Sequence, residues 1–217
     1  MSDTSRSRLE GLTAEALACT ACRLAEGRTH VVFGDGNPDA DVVIVGEAPG
    51  QREDEQGLPF VGPSGKLLDR LLGEIDLRRE DVYISNIVKC RPPKNRDPRP
   101  DEIEACKGYL REQLSLIDPK VVVTLGNFST KLLLNTETGI TRLRGIAYQW
   151  WGRYLIPTFH PAAALRGSAQ VLADMQYDFG LVAAAIAGNL NVNIDERAPE
   201  VTVESNDDPE QLGLFGS

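Results

Sequence analysis

Apolar residues fall into two rhythms along this chain. Four short runs, at 41–45, 82–88, 120–125 and 153–159, are rich in Val, Ile and Leu without a clean polar alternation. Runs of that length and character read as strands covered on both faces, as in parallel sheets. Between them the apolar spacing lengthens to that of a helix. Residues 5–18 place Leu9, Leu12, Ala16 and Leu17 on one face, and 63–75 carry the stripe Leu67, Leu68, Leu71, Leu72 and Ile75. A longer helix is expected over 100–117, with Asp101 and Glu102 in its first turn, where acids favour the helix dipole. Further helices are expected over 127–134 and 168–187. Strands alternating with helices predict an α/β fold: a three-layer α/β/α sandwich around a central four-stranded parallel sheet. Ligands of such sheets bind beyond the carboxyl ends of the strands. The three most distinctive loops, after Val45, Val88 and Phe159, all begin there.

The periodicity stops near residue 189. This divides the chain into a folded domain, 1–188, and an acidic tail, 189–217, expected to be disordered. The division changes how the net charge of −9 is read. Residues 191–217 hold seven acids against Arg197, so the body is close to neutral. Within it, residues 87–99 set Lys89, Arg91, Lys94, Arg96 and Arg99 against Asp97 alone. A basic patch on a nearly neutral body is compatible with DNA, whatever the overall sign. No apolar run is long enough to cross a bilayer, and the first residues lack the apolar core of a secretory signal. A reducing cytoplasm is the expected compartment, which argues against disulfides.

The chain has four cysteines: Cys19 and Cys22 as Cys-x-x-Cys, and Cys90 and Cys106 with 15 residues between them. Four thiols in two separated pairs suit one metal centre, either tetrahedral zinc or an iron–sulfur cluster. The long second spacing departs from the repeated short knuckles of a zinc ribbon.

Chemistry-bearing residues gather in the strand-end loops. Glu47 stands in Gly46-Glu47-Ala48-Pro49-Gly50, and Glu53 follows. Phe60 lies in the Gly/Pro-rich loop 57–65, where an aromatic offers a stacking face. Asn86 precedes the basic loop; its amide pairs a donor with an acceptor, the means of reading a pyrimidine edge. His160 follows Phe159 at a strand end. His30 has no such setting and is assigned no role.

These motifs in this order resemble the iron–sulfur family 4 uracil-DNA glycosylases: the Cys-x-x-Cys, Gly46-Glu47-Ala48-Pro49-Gly50, Pro59-Phe60-Val61-Gly62, Asn86 before Cys90-Arg91-Pro92-Pro93, Cys106, and His160-Pro161. The resemblance covers residues 15 to 185. It implies hydrolysis of the N-glycosidic bond of deoxyuridine in DNA, after extrusion of the nucleotide from the stack. It implies one [4Fe–4S] cluster on Cys19, Cys22, Cys90 and Cys106, and a monomeric enzyme. By the same resemblance, His160 would hydrogen-bond the base O2 and Asn86 would read its Watson–Crick edge. Phe60 would stack on the ring. Glu47 would hold water or stabilise the cationic sugar, and Glu53 would exclude the thymine methyl. Lys94, Arg96 and Arg99 would meet phosphates, with Leu165 and Arg166 as a wedge. Ala48 departs from better-known relatives, which carry a catalytic aspartate there, so the carboxylate role is open. No Lys-Arg-Arg-Ile-His insert is present. A related iron–sulfur glycosylase with broader tastes among damaged bases, and a non-catalytic cluster-bearing DNA-binding module, are the competing readings. The end of the tail, with Gln211, Leu212, Leu214 and Phe215, resembles the Gln-Leu-x-Leu-Phe peptide that binds the bacterial sliding clamp.

Overall fold

A computed structural model describes residues 2–167 and 169–190. The strands are β1 (Asp35–Gly36), β2 (Val42–Gly46), β3 (Tyr83–Asn86), β4 (Val121–Leu125), β5 (Tyr148–Trp150) and β6 (Arg153–Thr158). The helices are α1 (Asp3–Leu17), α2 (Gln51–Gln56), α3 (Pro63–Gly73), α4 (Pro100–Ile117), α5 (Asn127–Leu133), α6 (Ile140–Leu143), α7 (Pro161–Arg166) and α8 (Ala169–Ile186).

The sheet runs β1-β3-β2-β4-β6-β5. Its centre, β3-β2-β4-β6, is parallel throughout, and these are the four strands expected from the apolar runs. The sheet as a whole is mixed and six-stranded, which corrects the expectation of a purely parallel four-stranded one. Strands β1 and β5 add antiparallel edges. They are two and three residues long, too short to carry a period in sequence.

Alternation along β2 shows why both faces need cover. Val43 and Val45 pack with Leu9, Leu12, Leu110 and Leu114 of α1 and α4. Val42 and Ile44 pack with Leu68, Leu71, Leu72, Met175 and Phe179 of α3 and α8. Every residue of β2 is buried, so neither face could spare an apolar position. The body extends slightly past the expected boundary: the Asn189 N–H donates to Ala184 O, and Leu190 packs against the second cluster. The rest of the acidic tail, with the residues likened to a clamp peptide, lies outside the described residues.

Two short helices stand where loops were expected. Helix α2, Gln-Arg-Glu-Asp-Glu-Gln, is polar and begins just after Gly50. Helix α7 begins directly after His160, with Pro161 in its first turn. Proline suits that position because its missing N–H is not needed there.

Candidate active site

Three strand ends open into one cavity of about 1150 Å³. Glu47 follows β2, Asn86 ends β3 and His160 follows β6. Glu53, Phe60, Arg96, Asp97 and Arg166 also line it. The loops that the sequence singles out therefore converge as the fold class requires.

Asn86 is 1% exposed. Among the described residues, neither its Nδ2 nor its Oδ1 finds a hydrogen-bond partner. A buried amide with both ends unpaired costs about 1–3 kcal/mol per unsatisfied group, and most such groups in native proteins are satisfied. This one faces a cavity, so a ligand is its natural partner. Its backbone is fixed from below. The Lys89 ammonium, fully buried, donates to Asn86 O at 2.8 Å, Ser85 Oγ at 2.6 Å and Gln113 Oε1 at 2.6 Å. Burial pushes the Lys89 pKa down to about 7. Glycine at 46 is required beside it: a Cβ there would lie 2.4 Å from Asn86 Oδ1 and 2.8 Å from Phe60 Cζ.

Phe60 is held in an unusual backbone state, with φ at 52°. A bulky residue pays for that region in strain, which persists only where its surroundings enforce it. Here they do. The Arg79 guanidinium donates to Phe60 O at 3.1 Å and also to Pro59 O. Glu53 Oε1 accepts from the Val61 and Gly62 N–H groups at 3.0 and 3.1 Å. A Cβ on Gly65 would come within 1.7 Å of Phe60 O, so that position must be glycine. The Phe60 and His160 rings stand 5.9 Å apart at 32°. Glu53 thus anchors the aromatic loop, a task the sequence did not suggest for it.

His160 caps α7. Its Nδ1 accepts from the Ala162 N–H at 3.2 Å. That bond assigns the tautomer: in the neutral ring the proton sits on Nε2. Burial, then Arg166, lowers the His160 pKa, while Glu53 opposes them. The ring is therefore neutral near pH 7 and offers one N–H donor.

Glu47 behaves differently. Burial first, then the nearby Asp97 charge and a side-chain hydrogen bond with Asp97, push its pKa up to about 7. Asp97 had entered the sequence reading only as the one acid of the basic loop. Ala48, where better-known relatives carry an aspartate, was the signal that could have pointed to a further carboxylate.

The four cysteines line a single small cavity together with Ala16, Ala21, Ala25 and Ala105. Small side chains there leave room that larger ones would fill. All four thiols are free. Among the described residues no three or more such side chains close on a point suited to a single metal ion. Burial holds the Cys90 thiol above its ordinary value and pushes Cys106 up to about 11, so thiolates here need a neighbouring positive charge. Arg28 donates to Cys90 Sγ at 3.3 Å, and the Lys89 N–H to Cys106 Sγ at 3.3 Å. Hydrogen bonds to sulfur of this kind stabilise metal-bound thiolates.

The basic loop is less available than its composition suggests. Lys89 is buried. Arg96 makes a two-pronged pair with Glu102, at 2.8 and 2.5 Å, and Glu102 is wholly buried. Arg96, expected beside Lys94 and Arg99 as a phosphate contact, is thus engaged by an internal carboxylate while still lining the cavity. Lys94 and Arg99 are exposed. Leu165, at the tip of α7, is 52% exposed, and Arg166 lies at the cavity wall.

The profile of the uracil DNA glycosylase superfamily matches residues 33–178. A type-4 uracil-DNA glycosylase of Sulfurisphaera tokodaii is 48% identical over 166 residues, which is 72% of this chain and 76% of that protein. The Thermotoga maritima protein of the same name is 49% identical over 156 residues, 71% of this chain and 81% of that one. A type-5 uracil-DNA glycosylase of Thermus thermophilus is 30% identical over 178 residues, 72% of this chain and 80% of its own length.

Proposed function

The chain belongs to the uracil-DNA glycosylase superfamily, with type-4 members among its relatives, and we propose that it excises uracil from DNA with the residues gathered at the carboxyl edge of its sheet. It is a glycosidase of base repair. Water oxygen bonds to C1′ of the deoxyribose as the C1′–N1 bond breaks. The electron pair leaves on uracil N1, the water loses a proton, and an abasic sugar remains. An anion develops on the base and a cation on the sugar, so preorganised charge and donors are the main catalytic resource.

The observation that carries this reading is the buried, unpaired Asn86 amide. Uracil presents N3–H beside O4, a donor and an acceptor, which an amide complements. Cytosine presents an acceptor and a donor in the reverse sense. Phe60 supplies the stacking surface, pinned by Arg79 and Glu53. The neutral His160 ring donates from Nε2 toward O2, where the leaving anion gathers charge. Ionised Glu47 accepts the water's proton and faces the cationic sugar. Lys94 and Arg99 remain for phosphates, and Leu165 with Arg166 for the space vacated by the flipped base. Release of free uracil from a uracil-containing oligonucleotide, measured by chromatography, tests the reading; an intact N-glycosidic bond after prolonged incubation overturns it.

Four free thiols around one apolar cavity support a [4Fe–4S] cluster over a single zinc ion. When bound, it would tie the Cys19–Cys22 turn to the loop from Cys90 to Cys106. A reducing cytoplasm suits both the cluster and the free thiols.

The segment beyond Leu190 is proposed as a tether that docks on the sliding clamp, through Gln211, Leu212, Leu214 and Phe215. Leu214 and Phe215 would fill an apolar pocket, with Gln211 at its edge. Tethering raises the local concentration of the catalytic body on DNA without any new contact to it. A chain ending at residue 190 should excise uracil from short oligonucleotides at the full rate and lose capture by immobilised clamp. Leu214→Ala with Phe215→Ala should do the same. Equal capture of full-length and shortened chains would sink the idea.

A further inference from the structure

The Ala48 position leaves a question that the cavity itself answers. Two carboxylates meet in it, one from each side. Glu47 comes from the end of β2; Asp97 comes from the loop that Cys90 and Cys106 bracket. Both line the same cavity, and the Asp97 carboxyl lies near enough for its charge, and a bond to the protonated Glu47 carboxyl, to raise the Glu47 pKa. Asp97 is not there by accident of a floppy loop. Arg96 Nη1 donates to the Asp97 carbonyl at 2.8 Å while the same guanidinium grips Glu102. Glu102 in turn accepts from the Arg99 N–H at 2.8 Å. The backbone on both sides of Asp97 is thereby pinned to the first turn of α4.

We propose that Asp97 is a positioning residue of this reaction: its carboxylate is set against Glu47, fixing the orientation and the ionisation with which Glu47 meets water and sugar. The inference rests on uracil excision by this cavity, and deepens it. A negative charge beside Glu47 favours its protonated form, because like charges that close resist ionising together. Glu47 is the more buried of the two, and burial adds to the effect. The other charged or titratable groups around the cavity are Glu53, Arg96, Lys131, Glu137, His160 and Arg166. Only Asp97 joins burial in raising Glu47.

The sign follows. Glu47 works ionised, so excision should fall as pH drops through about 7, where Glu47 takes up its proton. Asp97→Asn removes the neighbouring charge and keeps the shape. Glu47 then ionises at lower pH, and the acidic limb should move down by about one pH unit. Burial remains, so it should not reach the ordinary carboxylate range. Asp97 is exposed, so the substitution leaves the core untouched.

Two measurements decide. Carbon-13 titration of the carboxyl resonances follows Glu47 directly in the full chain, with the Glu47 signal identified by its loss in Glu47→Gln. Single-turnover uracil release at saturating enzyme, across pH 5 to 9, follows its consequence. A lower Glu47 midpoint in Asp97→Asn, with a matching shift of the limb, supports the proposal. An unmoved or higher midpoint overturns it, as does a limb that survives in Glu47→Gln. If no uracil is released at any pH, the functional reading fails, while the carboxyl titration still tells whether Asp97 controls Glu47.

Discussion

Asn86→Ala protein should fold as well as the parent chain and release uracil roughly 10²–10³-fold more slowly, the scale of losing one preorganised polar group. The pairing of those two outcomes is the point. Among the described residues the Asn86 amide is buried without partners, so it opposes folding. Replacing it with a methyl removes unsatisfied groups worth about 1–3 kcal/mol each, against a modest loss of packing. The melting temperature should hold or rise as activity falls. DNA affinity should change little, because phosphates supply most of it. His160→Ala should cut the rate on the same scale, but with some loss of stability, since His160 also caps α7. Wild-type rates in both variants would show the site to be misassigned. A sharp drop in melting temperature for Asn86→Ala would mean that its amide is satisfied after all.

The contrast between Asn86 and Arg96 shows what a sequence can and cannot convey here. Asn86 was legible because buried parallel strands announce themselves, and whatever follows such a strand faces the ligand edge. The same logic pointed to Glu47 and His160, and an aromatic in a Gly/Pro-rich loop to Phe60; all three line the same cavity. The Arg96 ion pair was not legible, because a basic residue in a polar loop looks solvated. Its partner Glu102 counted instead as an ordinary acid at a helix start. Only the folded loop brings the two together. Lys89 fails for a related reason: nothing local says that an ammonium will be sealed beneath the sheet by Ser85, Asn86 and Gln113. Helix α2 is too polar and too short to show a stripe, and β1 and β5 are too short to alternate. Contacts between segments distant in sequence, such as Glu47 with Asp97, leave no periodic trace. The unfilled role at Ala48 was the one hint.

Protein purified without oxygen should be brown and carry iron with acid-labile sulfide, and Cys90→Ala should lose colour, solubility and excision together. The thiols of Cys19 and Cys22 arrive from the turn after α1, Cys90 from the end of the β3 loop, and Cys106 from the middle of α4. A cluster joining them would tie three segments across the one small cavity that they line. Losing a bound metal group is among the few changes that destabilise by more than about 4 kcal/mol, against a total stability of about 5–15 kcal/mol for a typical domain. Excision should fall as well, although no cysteine lines the active cavity. The loop from Cys90 to Cys106 carries Arg96 and Asp97 to that cavity's wall, and freeing its first anchor leaves it to be held mainly from its far end, where Arg96 and the Arg99 N–H bond Glu102. Asn86, four residues before Cys90, should lose its footing too, because Lys89 is bonded both to its carbonyl and, through its own N–H, to Cys106. Arg28→Ala makes a milder probe, since it removes one donor to Cys90 Sγ and leaves all four thiols. It should keep the cluster but make it easier to oxidise in air, seen as faster bleaching. Stoichiometric zinc without sulfide in the parent chain would contradict the cluster. A soluble and fully active Cys90→Ala protein would contradict its structural role.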